Sequence, residues 1–255
     1  MNKRTGLAMF LAAAGGILAI ASAVSAAEGG KAAAAQEKIK VVILVGGHPF
    51  DQVTFDKFWS GYENFACETW KGKPYTVFDN IDNFKYDAIV MYNLSSGITE
   101  TQKQNFLKLL QKGVGLVVWH HALADCQDWP EFEKIAGARF WLKAGDRGGV
   151  RVPQSGVGFG KLTMHVENPG HPVTKGLADF PINDETYNHQ TFCDDIQVLL
   201  STEHPKSDKT IAWVHNYGKA RVLGYQSGHD KNAWTNEGFR RVMGQGIAWV
   251  AGKEQ

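Results

Sequence analysis

The chain has 255 residues and a formal net charge of +1, from 27 Lys and Arg residues against 26 Asp and Glu residues. This balance leaves no basic stripe for nucleic acid and no polybasic patch for a membrane surface, so we expect neither partner. The length and the 44% share of hydrophobic residues allow one sizeable core, which favours an α/β domain with a small-molecule pocket.

The first 27 residues have the three parts of a secretory signal peptide. Lys3 and Arg4 form a short positive region, a long apolar run follows, and the segment AVSAA supplies small residues at the cleavage positions. We expect cleavage after Ala26 or Ala27, a periplasmic or secreted location and no stable membrane insertion of the mature chain. An uncleaved anchor helix is the alternative.

The mature chain starts with a low-complexity leader at residues 28–38, which we expect to be disordered because it offers nothing to bury. One domain is predicted over residues 39–252. Its first segment, IKVVILVGG at 39–47, is typical of a strand that is buried on both faces. Aromatic and apolar side chains then recur every three or four residues over 55–66, which predicts a helix.

The next elements predict a parallel sheet. Residues 75–79 and 86–93 have the pattern of short buried strands, and the capping-box pair Thr99 and Gln102 begins a helix that Gly113 ends. The apolar segment GLVVW follows as another strand. This alternation predicts a doubly wound, mostly parallel sheet with helices on both faces.

The second half of the chain begins with a segment that has no long helix or strand pattern. Glycines and short polar segments over residues 140–200 predict an irregular insert with a few strands of its own. Two alternating runs then meet at Tyr217–Lys219, which indicates a β-hairpin with Gly218 in the turn. The last helix is predicted from an apolar face formed by Phe239, Val242, Met243, Ile247 and Val250.

Three cysteines in an exported chain allow one disulfide at most, and no C-x-x-C spacing points to a zinc knuckle or a redox dithiol. Cys67 is predicted on the first helix, facing the core. Cys126 and Cys193 are the pair that we consider for a disulfide, because their loops can meet over the ends of the strands.

Histidines follow several strands at one end of the predicted sheet. His48 follows the first strand, His120 and His121 follow GLVVW, and His229 follows the hairpin. Ligands of open parallel sheets bind beyond the carboxyl ends of the strands, so a functional site is predicted where these segments meet. Successive strand residues face opposite sides, so one of the two adjacent histidines should point away unless the backbone turns; we assign His121 to the site.

Residue roles follow from the chemistry of these side chains, since imidazoles and carboxylates exchange protons near neutral pH. The predicted catalytic residues are His121, His229, Glu185 and Asp230. The predicted substrate-binding residues are His48, Asn93, His120, Tyr187 and Trp234. The remaining histidines that we consider are not assigned to the site. His165 is interpreted as structural, His171 as a residue that orders its loop, and His204 and His215 as surface or hairpin residues.

Four segments together resemble one family: VVILVGGHPFD, GVGLVVWHHAL, ENPGHPVTKGL with the later DETYN, and LGYQSGHDKNAWTNEGFRRVMGQGIAWVAG. They are similar to the trehalose-utilisation, or ThuA-like, family over nearly the whole mature chain. The resemblance implies a class I glutamine-amidotransferase-like, flavodoxin-like α/β fold. It also implies a role in carbohydrate metabolism, in particular of keto-sugar derivatives of glycosides.

Amidotransferases of this fold carry a nucleophilic Cys on a Gly-x-Cys-x-Gly elbow after the strand that corresponds to GLVVW. His120 and His121 stand at that elbow here, and Cys126 comes too late to replace the nucleophile. The segment YQSGHD is similar to the one that carries the amidotransferase His and Glu, which matches His229 and Asp230. The resemblance therefore implies that the chain is not a glutamine amidotransferase and keeps only acid–base or metal chemistry.

The leading hypothesis is an exported hydrolase or lyase that acts by acid–base chemistry on a keto-sugar or glycoside. A divalent metal such as zinc is an open cofactor, because imidazole and carboxylate suit it, although no H-E-x-x-H motif is present. One alternative is a non-catalytic carbohydrate-binding module, and another is a structural domain without activity. The sequence does not determine the oligomeric state.

Overall fold

The structure of the protein is a computed structural model, and it describes residues 37–95 and 97–254. The predicted signal peptide and nearly all of the predicted leader lie outside these residues. Among the helices of the described ranges, none combines the length and apolar character that crossing a bilayer requires.

A nine-stranded sheet, with both parallel and antiparallel pairs, forms the centre of the described domain. The strands, including short ones outside this sheet, are β1 (Ile39–Gly46), β2 (Phe65–Thr69), β3 (Ala88–Asn93), β4 (Gly115–Trp119), β5 (Ala138–Arg139), β6 (Gly145–Arg147), β7 (Val150–Val152), β8 (Gly156–Val166), β9 (Phe180–Asn188), β10 (Thr191–Phe192), β11 (Gln197–Ser201), β12 (Thr210–Tyr217) and β13 (Ala220–Tyr225). The order in the large sheet is β2-β1-β3-β4-β13-β12-β11-β8-β9. Pairs from β2 to β13 are parallel, and those from β13 to β9 are antiparallel.

Helices pack on both faces of this sheet. Their bounds are α1 (Gln52–Ser60), α2 (Glu100–Lys112), α3 (Pro130–Ala136), α4 (Lys231–Trp234) and α5 (Glu237–Val250). Side chains of α1, α4 and α5 share one apolar cluster with Val41 and Ile43 of β1, whereas α2 and α3 share a second with Val42 and Leu44. Alternate residues of β1 therefore enter different layers, which explains why its sequence is apolar without a break.

Several local predictions are confirmed. Thr99 and Gln102 form the reciprocal capping box of α2, and Gly113 ends that helix with a φ of 92°. β12 and β13 form the predicted hairpin, with Gly218 at a φ of 59°. The predicted α/β fold is confirmed, and the insert extends the sheet with antiparallel strands.

Two element predictions are wrong. The first helix ends at Ser60, and Phe65 instead begins β2, which pairs in parallel with β1. Residues 74–78 form a 3-10 helix and not a strand. Pro74 lies in the first turn of this helix, where its fixed φ is favourable and no backbone N–H is needed, so a buried apolar segment becomes helical.

The three cysteines are free, so the disulfide considered from the sequence is not formed. Cys67 lies on β2 and not on the first helix, because that helix is shorter than predicted. The Cys126 thiol lies 3.2 Å from the Tyr75 hydroxyl, and burial raises the pKa of that thiol to about 12. The Cys193 thiol instead donates to the Glu133 carbonyl at 3.6 Å.

His215 lies in the predicted hairpin, where it is buried on β12. Its Nε2 lies 3.0 Å from the Ile135 carbonyl oxygen, to which it donates. The imidazole therefore joins the hairpin to α3.

We predict that Gly115→Ala destabilises the protein, because β4 and α5 meet too closely for a side chain there. A Cβ on Gly115 would lie 2.4 Å from the Val250 carbonyl oxygen. Overpacking of this kind lowers the free energy of unfolding by about 1–3 kcal/mol. Urea denaturation followed by circular dichroism measures the change.

Gly170→Ala is the matched control, because the nearest atom to its Cβ would be 3.7 Å away. Its free energy of unfolding should stay within about 0.5 kcal/mol of the unmodified protein. Equal stability of the two variants would contradict the close β4–α5 contact.

Candidate functional site

Four histidines meet beyond the carboxyl ends of the parallel strands. His48 follows β1, His120 and His121 follow β4, and His229 follows β13. The ring centroids of His48 and His121 are 4.7 Å apart, and those of His120 and His229 are 5.3 Å apart. The structure thus brings together the three histidine-bearing segments that the sequence placed at one edge.

The backbone turns sharply at His120, directly after β4. This residue has a φ of 53°, and a 3-10 helix runs on from His120 to Ala124. A non-glycine residue in the left-handed region costs about 1–3 kcal/mol and persists only when its surroundings hold it. Because of this turn, the alternation of a strand does not apply to His120 and His121.

His120, Glu185 and His229 form a compact group, which we call the His–Glu–His cluster. The Glu185 Oε2 atom lies 3.1 Å from His120 Nε2 and 3.3 Å from His229 Nδ1. The two imidazole nitrogens are 3.2 Å apart. The exposed fractions of these side chains rise from 1% for His120 to 11% for Glu185 and 24% for His229, so the cluster opens to solvent beside His229.

The orientation of His120 is fixed by its second nitrogen. His120 Nδ1 lies 2.7 Å from the Gln226 carbonyl oxygen, which can only accept a hydrogen bond, so Nδ1 is the donor. In the neutral imidazole, Nε2 then presents its lone pair to Glu185 and His229. The Tyr187 hydroxyl lies 3.1 Å from the same Nε2.

The electrostatics of the cluster favour an ionised carboxylate. Burial alone would raise the pKa of Glu185, but when both imidazoles carry a proton towards it, hydrogen bonds from His120 and His229 lower that pKa to about 2. The hydrogen bond to Glu185 raises the pKa of His229, against the effect of burial. Burial lowers the pKa of His121 to about 2, and the neighbouring His120 and His48 add to this, so His121 stays neutral.

A buried carboxylate and a tyrosine hold the loop that carries His229. Asp184 accepts hydrogen bonds from the backbone N–H groups of Gly228 at 2.6 Å and His229 at 3.1 Å. The Tyr92 hydroxyl lies 3.2 Å and 3.1 Å from the carbonyl oxygens of the same two residues, to which it donates. Burial raises the pKa of Asp184, which is 4% exposed.

Asp184 and Tyr92 were not predicted from the sequence to belong to the site. A signal was present for Asp184, because it precedes Glu185 within the strand NDETYN and so faces the opposite, buried side. Tyr92 gave no signal apart from its place near the end of a buried strand.

Two residues predicted to be catalytic lie outside the cluster. His121 is 5% exposed and its Nε2 donates to the Tyr92 carbonyl at 3.2 Å. It is therefore not solvent-accessible, contrary to the expectation for a residue at a strand end. Asp230 caps α4, accepting from the backbone N–H of Asn232 at 2.8 Å.

The predicted substrate-binding residues are placed differently from one another. Asn93 is fully buried with its amide donating to Asp125, and Trp234 is 1% exposed with its indole donating to the Gly228 carbonyl. Both side chains are therefore covered by other parts of the fold in this structure. Tyr187 is buried against His120, whereas His48 is partly exposed beside His229, with a centroid distance of 5.8 Å.

An exposed apolar rim borders the cluster. Phe159 on β8 is 59% exposed, and its ring centroid lies 5.3 Å from that of His229. In the β8–β9 register, Phe159 lies opposite Glu185, and Val157, which is 58% exposed, lies opposite Tyr187. This rim was not predicted from the sequence, because Val157 and Phe159 alternate with glycines and nothing in that alternation shows which face is exposed.

Asp125 braces the turn that carries His120 and His121. Its carboxylate is 1% exposed and accepts hydrogen bonds from the Asn93 amide and, at 2.7 Å, from the Ser95 backbone N–H. Burial raises the pKa of Asp125 to about 7, although these hydrogen bonds oppose the shift. This carboxyl group links the end of β3 to the segment after β4.

Three side chains in the described ranges can hold a metal ion together. His120, Glu185 and His229 offer one ligand atom each, and all three atoms lie within 4.8 Å of one another. Imidazole nitrogens and carboxylate oxygens are ordinary ligands of zinc and related divalent cations.

The chain is similar to one protein family and to solved structures of the same fold. The model of the ThuA family, described as trehalose utilisation, matches residues 54–250. A ThuA-like protein from Parabacteroides merdae shares the fold with a TM-score of 0.71 at 20% identity, over 86% of this chain and 92% of that one. A ThuA-like protein from Bacteroides uniformis gives 0.66 at 22% identity, over 88% and 96% of the two chains. Among curated proteins, no sequence matches this chain.

We predict that Asp125 makes the protein less stable as the pH rises. Its pKa of about 7 in the folded protein exceeds the value of about 3.9 in an unfolded chain. The folded state therefore binds more protons between these values, and the free energy of unfolding falls by at most about 1.4 kcal/mol per pH unit from this group.

Asp125→Asn cannot ionise and removes this dependence. Relative to the unmodified protein, the variant should gain stability between about pH 4.5 and about pH 7.5. Urea denaturation at both pH values measures the difference. If the difference in free energy of unfolding between the two proteins is the same at both pH values, the raised pKa of Asp125 is contradicted.

Proposed function

The chain belongs to the ThuA family, described as trehalose utilisation, and from this premise we propose that it is an exported carbohydrate-processing enzyme. It acts as a hydrolase or lyase on a keto-sugar or a glycoside, by acid–base chemistry. The reaction centre is the His–Glu–His cluster.

The observation that carries this proposal is a carboxylate held between two imidazoles at the ligand-binding edge of the sheet. Placing an ionised carboxylate where only 11% of its side chain is exposed costs free energy unless it is paired. A module that only binds carbohydrate needs aromatic and amide groups, and it has no use for titrating groups in this arrangement. The cluster therefore favours the enzyme over the binding module.

The surroundings of His229 suit a sugar. The exposed face of Phe159 can pack against the apolar face of a pyranose ring, and the ring of His48 lies 5.8 Å from that of His229. A substrate held between these two side chains has its reacting carbon next to the exposed part of His229. Glu185 lies beneath, away from the solvent.

Proton transfer at His229 accounts for a lyase reaction. A keto group acidifies the neighbouring C–H bond, so the neutral imidazole can take that proton. The electron pair forms a C=C bond, the glycosidic C–O bond breaks, and the imidazolium returns the proton to the leaving oxygen. Glu185, which lies 3.3 Å from His229 Nδ1, stabilises the imidazolium. In a hydrolase the same imidazole would deprotonate the attacking water.

We predict that His229→Ala and Glu185→Gln lower turnover about 10²- to 10⁴-fold. Purified protein is incubated with oxidised and unoxidised glycosides, with and without a chelator, and product is measured. The melting temperatures should change by only a few degrees, because both side chains lie at the open edge of the sheet.

His165→Ala is the control. This imidazole pairs with Asp179 at 2.8 Å, with 39% of its side chain exposed, away from the cluster. The variant should keep both turnover and melting temperature. If His229→Ala and Glu185→Gln also keep full turnover, the carbohydrate-binding module replaces the enzyme as the better explanation.

We also predict that the exported protein begins at Ala27 or Glu28. The positive region, the apolar run and the small residues of AVSAA in the first 27 residues support export. Intact mass measurement of protein from the periplasm or the medium tests this, and a mass that includes Met1 would contradict it.

A further inference from the structure

We infer that the His–Glu–His cluster binds a divalent transition-metal cation such as zinc, through His120 Nε2, Glu185 Oε2 and His229 Nδ1. The inference concerns the cluster on which the proposed function rests, but it is tested by metal binding and does not need a substrate.

The spacing of the three atoms is that of ligands around one small cation. They are 3.1 Å, 3.2 Å and 3.3 Å apart. Zinc bonds to nitrogen and oxygen are about 2.0–2.2 Å long, and two ligands of a tetrahedral site are then about 3.3–3.6 Å apart. A cation can therefore lie between the three atoms with little rearrangement of the side chains.

The lone pairs of the cluster favour a positive charge between His120 Nε2, Glu185 Oε2 and His229 Nδ1. Because His120 Nδ1 donates to the Gln226 carbonyl, its Nε2 has a lone pair that faces the Glu185 carboxylate. A backbone carbonyl on the second nitrogen is the usual partner of a metal-binding histidine, since it fixes the tautomer and the ring orientation. A cation between the two groups would be attracted by the Nε2 lone pair and by the carboxylate at once.

The ligands are held in place before any ion arrives. Asp184 fixes the backbone of His229, and the Gln226 carbonyl fixes the ring of His120. Three ligands with solvent access beside His229 leave a coordination position for water or a sugar oxygen. The chemistry of two imidazoles and one carboxylate suits a catalytic site more than a closed structural one.

Cation binding would change how the cluster works. His229 Nδ1 can bind either the cation or, through its proton, Glu185, so the two states exclude each other. With the cation bound, the proton transfer assigned to His229 passes to a water that the cation activates, or the cation polarises the keto oxygen directly.

Metal analysis of untagged, purified protein tests the inference first. We expect about one equivalent of a divalent transition metal, or tight uptake of Zn²⁺ by chelator-treated protein in calorimetry, with Mn²⁺, Fe²⁺ and Ni²⁺ as comparison ions. The visible spectrum of Co²⁺-loaded protein reports the coordination geometry.

Variants then locate the ion. His120→Ala and Glu185→Gln should each weaken Zn²⁺ binding at least about a hundredfold, whereas Tyr187→Phe, which removes only a group near His120, should weaken it by about tenfold or less. His165→Ala should bind as the unmodified protein does. Circular dichroism confirms that each variant is folded.

The inference is overturned if folded, chelator-treated protein binds none of these ions, or if His120→Ala and Glu185→Gln bind Zn²⁺ as tightly as the unmodified protein. Stoichiometric binding without turnover of any sugar would leave the metal site standing and reject the proposed function. Turnover by metal-free protein that binds no metal would support the proposed function and reject the metal site.

Discussion

The hydrogen bond from the His120 imidazole to the Gln226 carbonyl is the contact on which the candidate site depends. It joins the segments that follow β4 and β13, which are adjacent parallel strands, at the point where both strands end. The bond holds His120 in its left-handed turn and sets which nitrogen faces Glu185. Without it, the strain at His120 would have no compensation, and the lone pair of Nε2 would have no fixed direction.

The site is assembled from two parts of one sheet. The parallel half supplies the histidines at the ends of its strands, whereas the carboxylate comes from β9 at the far antiparallel edge. Asp184 connects the parts, because its carboxylate on β9 accepts from the loop after β13. The antiparallel strands thus bring a carboxylate to the edge at which the parallel strands place their histidines.

The sequence predicted those features that depend on neighbours along the chain. The capping box of α2, the β12–β13 hairpin and the convergence of the histidine segments all follow from local patterns and from the geometry of parallel sheets. The choice between His120 and His121 could not be predicted, because it depends on a single positive φ that a distant carbonyl supports. The burial of Asn93 and Trp234, and the roles of Asp184 and Phe159, depend on packing between segments far apart in sequence, which periodicity does not report.

The antiparallel end of the sheet has one further consequence. Strands β8 and β9 pair along their whole length, but β8 joins β11 only near its own end, at Val166 and His165. Two long strands attached in this way form a cooperative unit that can open at a lower free energy than the central strands β1, β3, β4 and β13, each of which pairs with two neighbours. Warming or mild denaturant would then separate Glu185 from its two imidazoles while the rest of the domain stays folded, so the His–Glu–His cluster would come apart at a lower temperature than the fold.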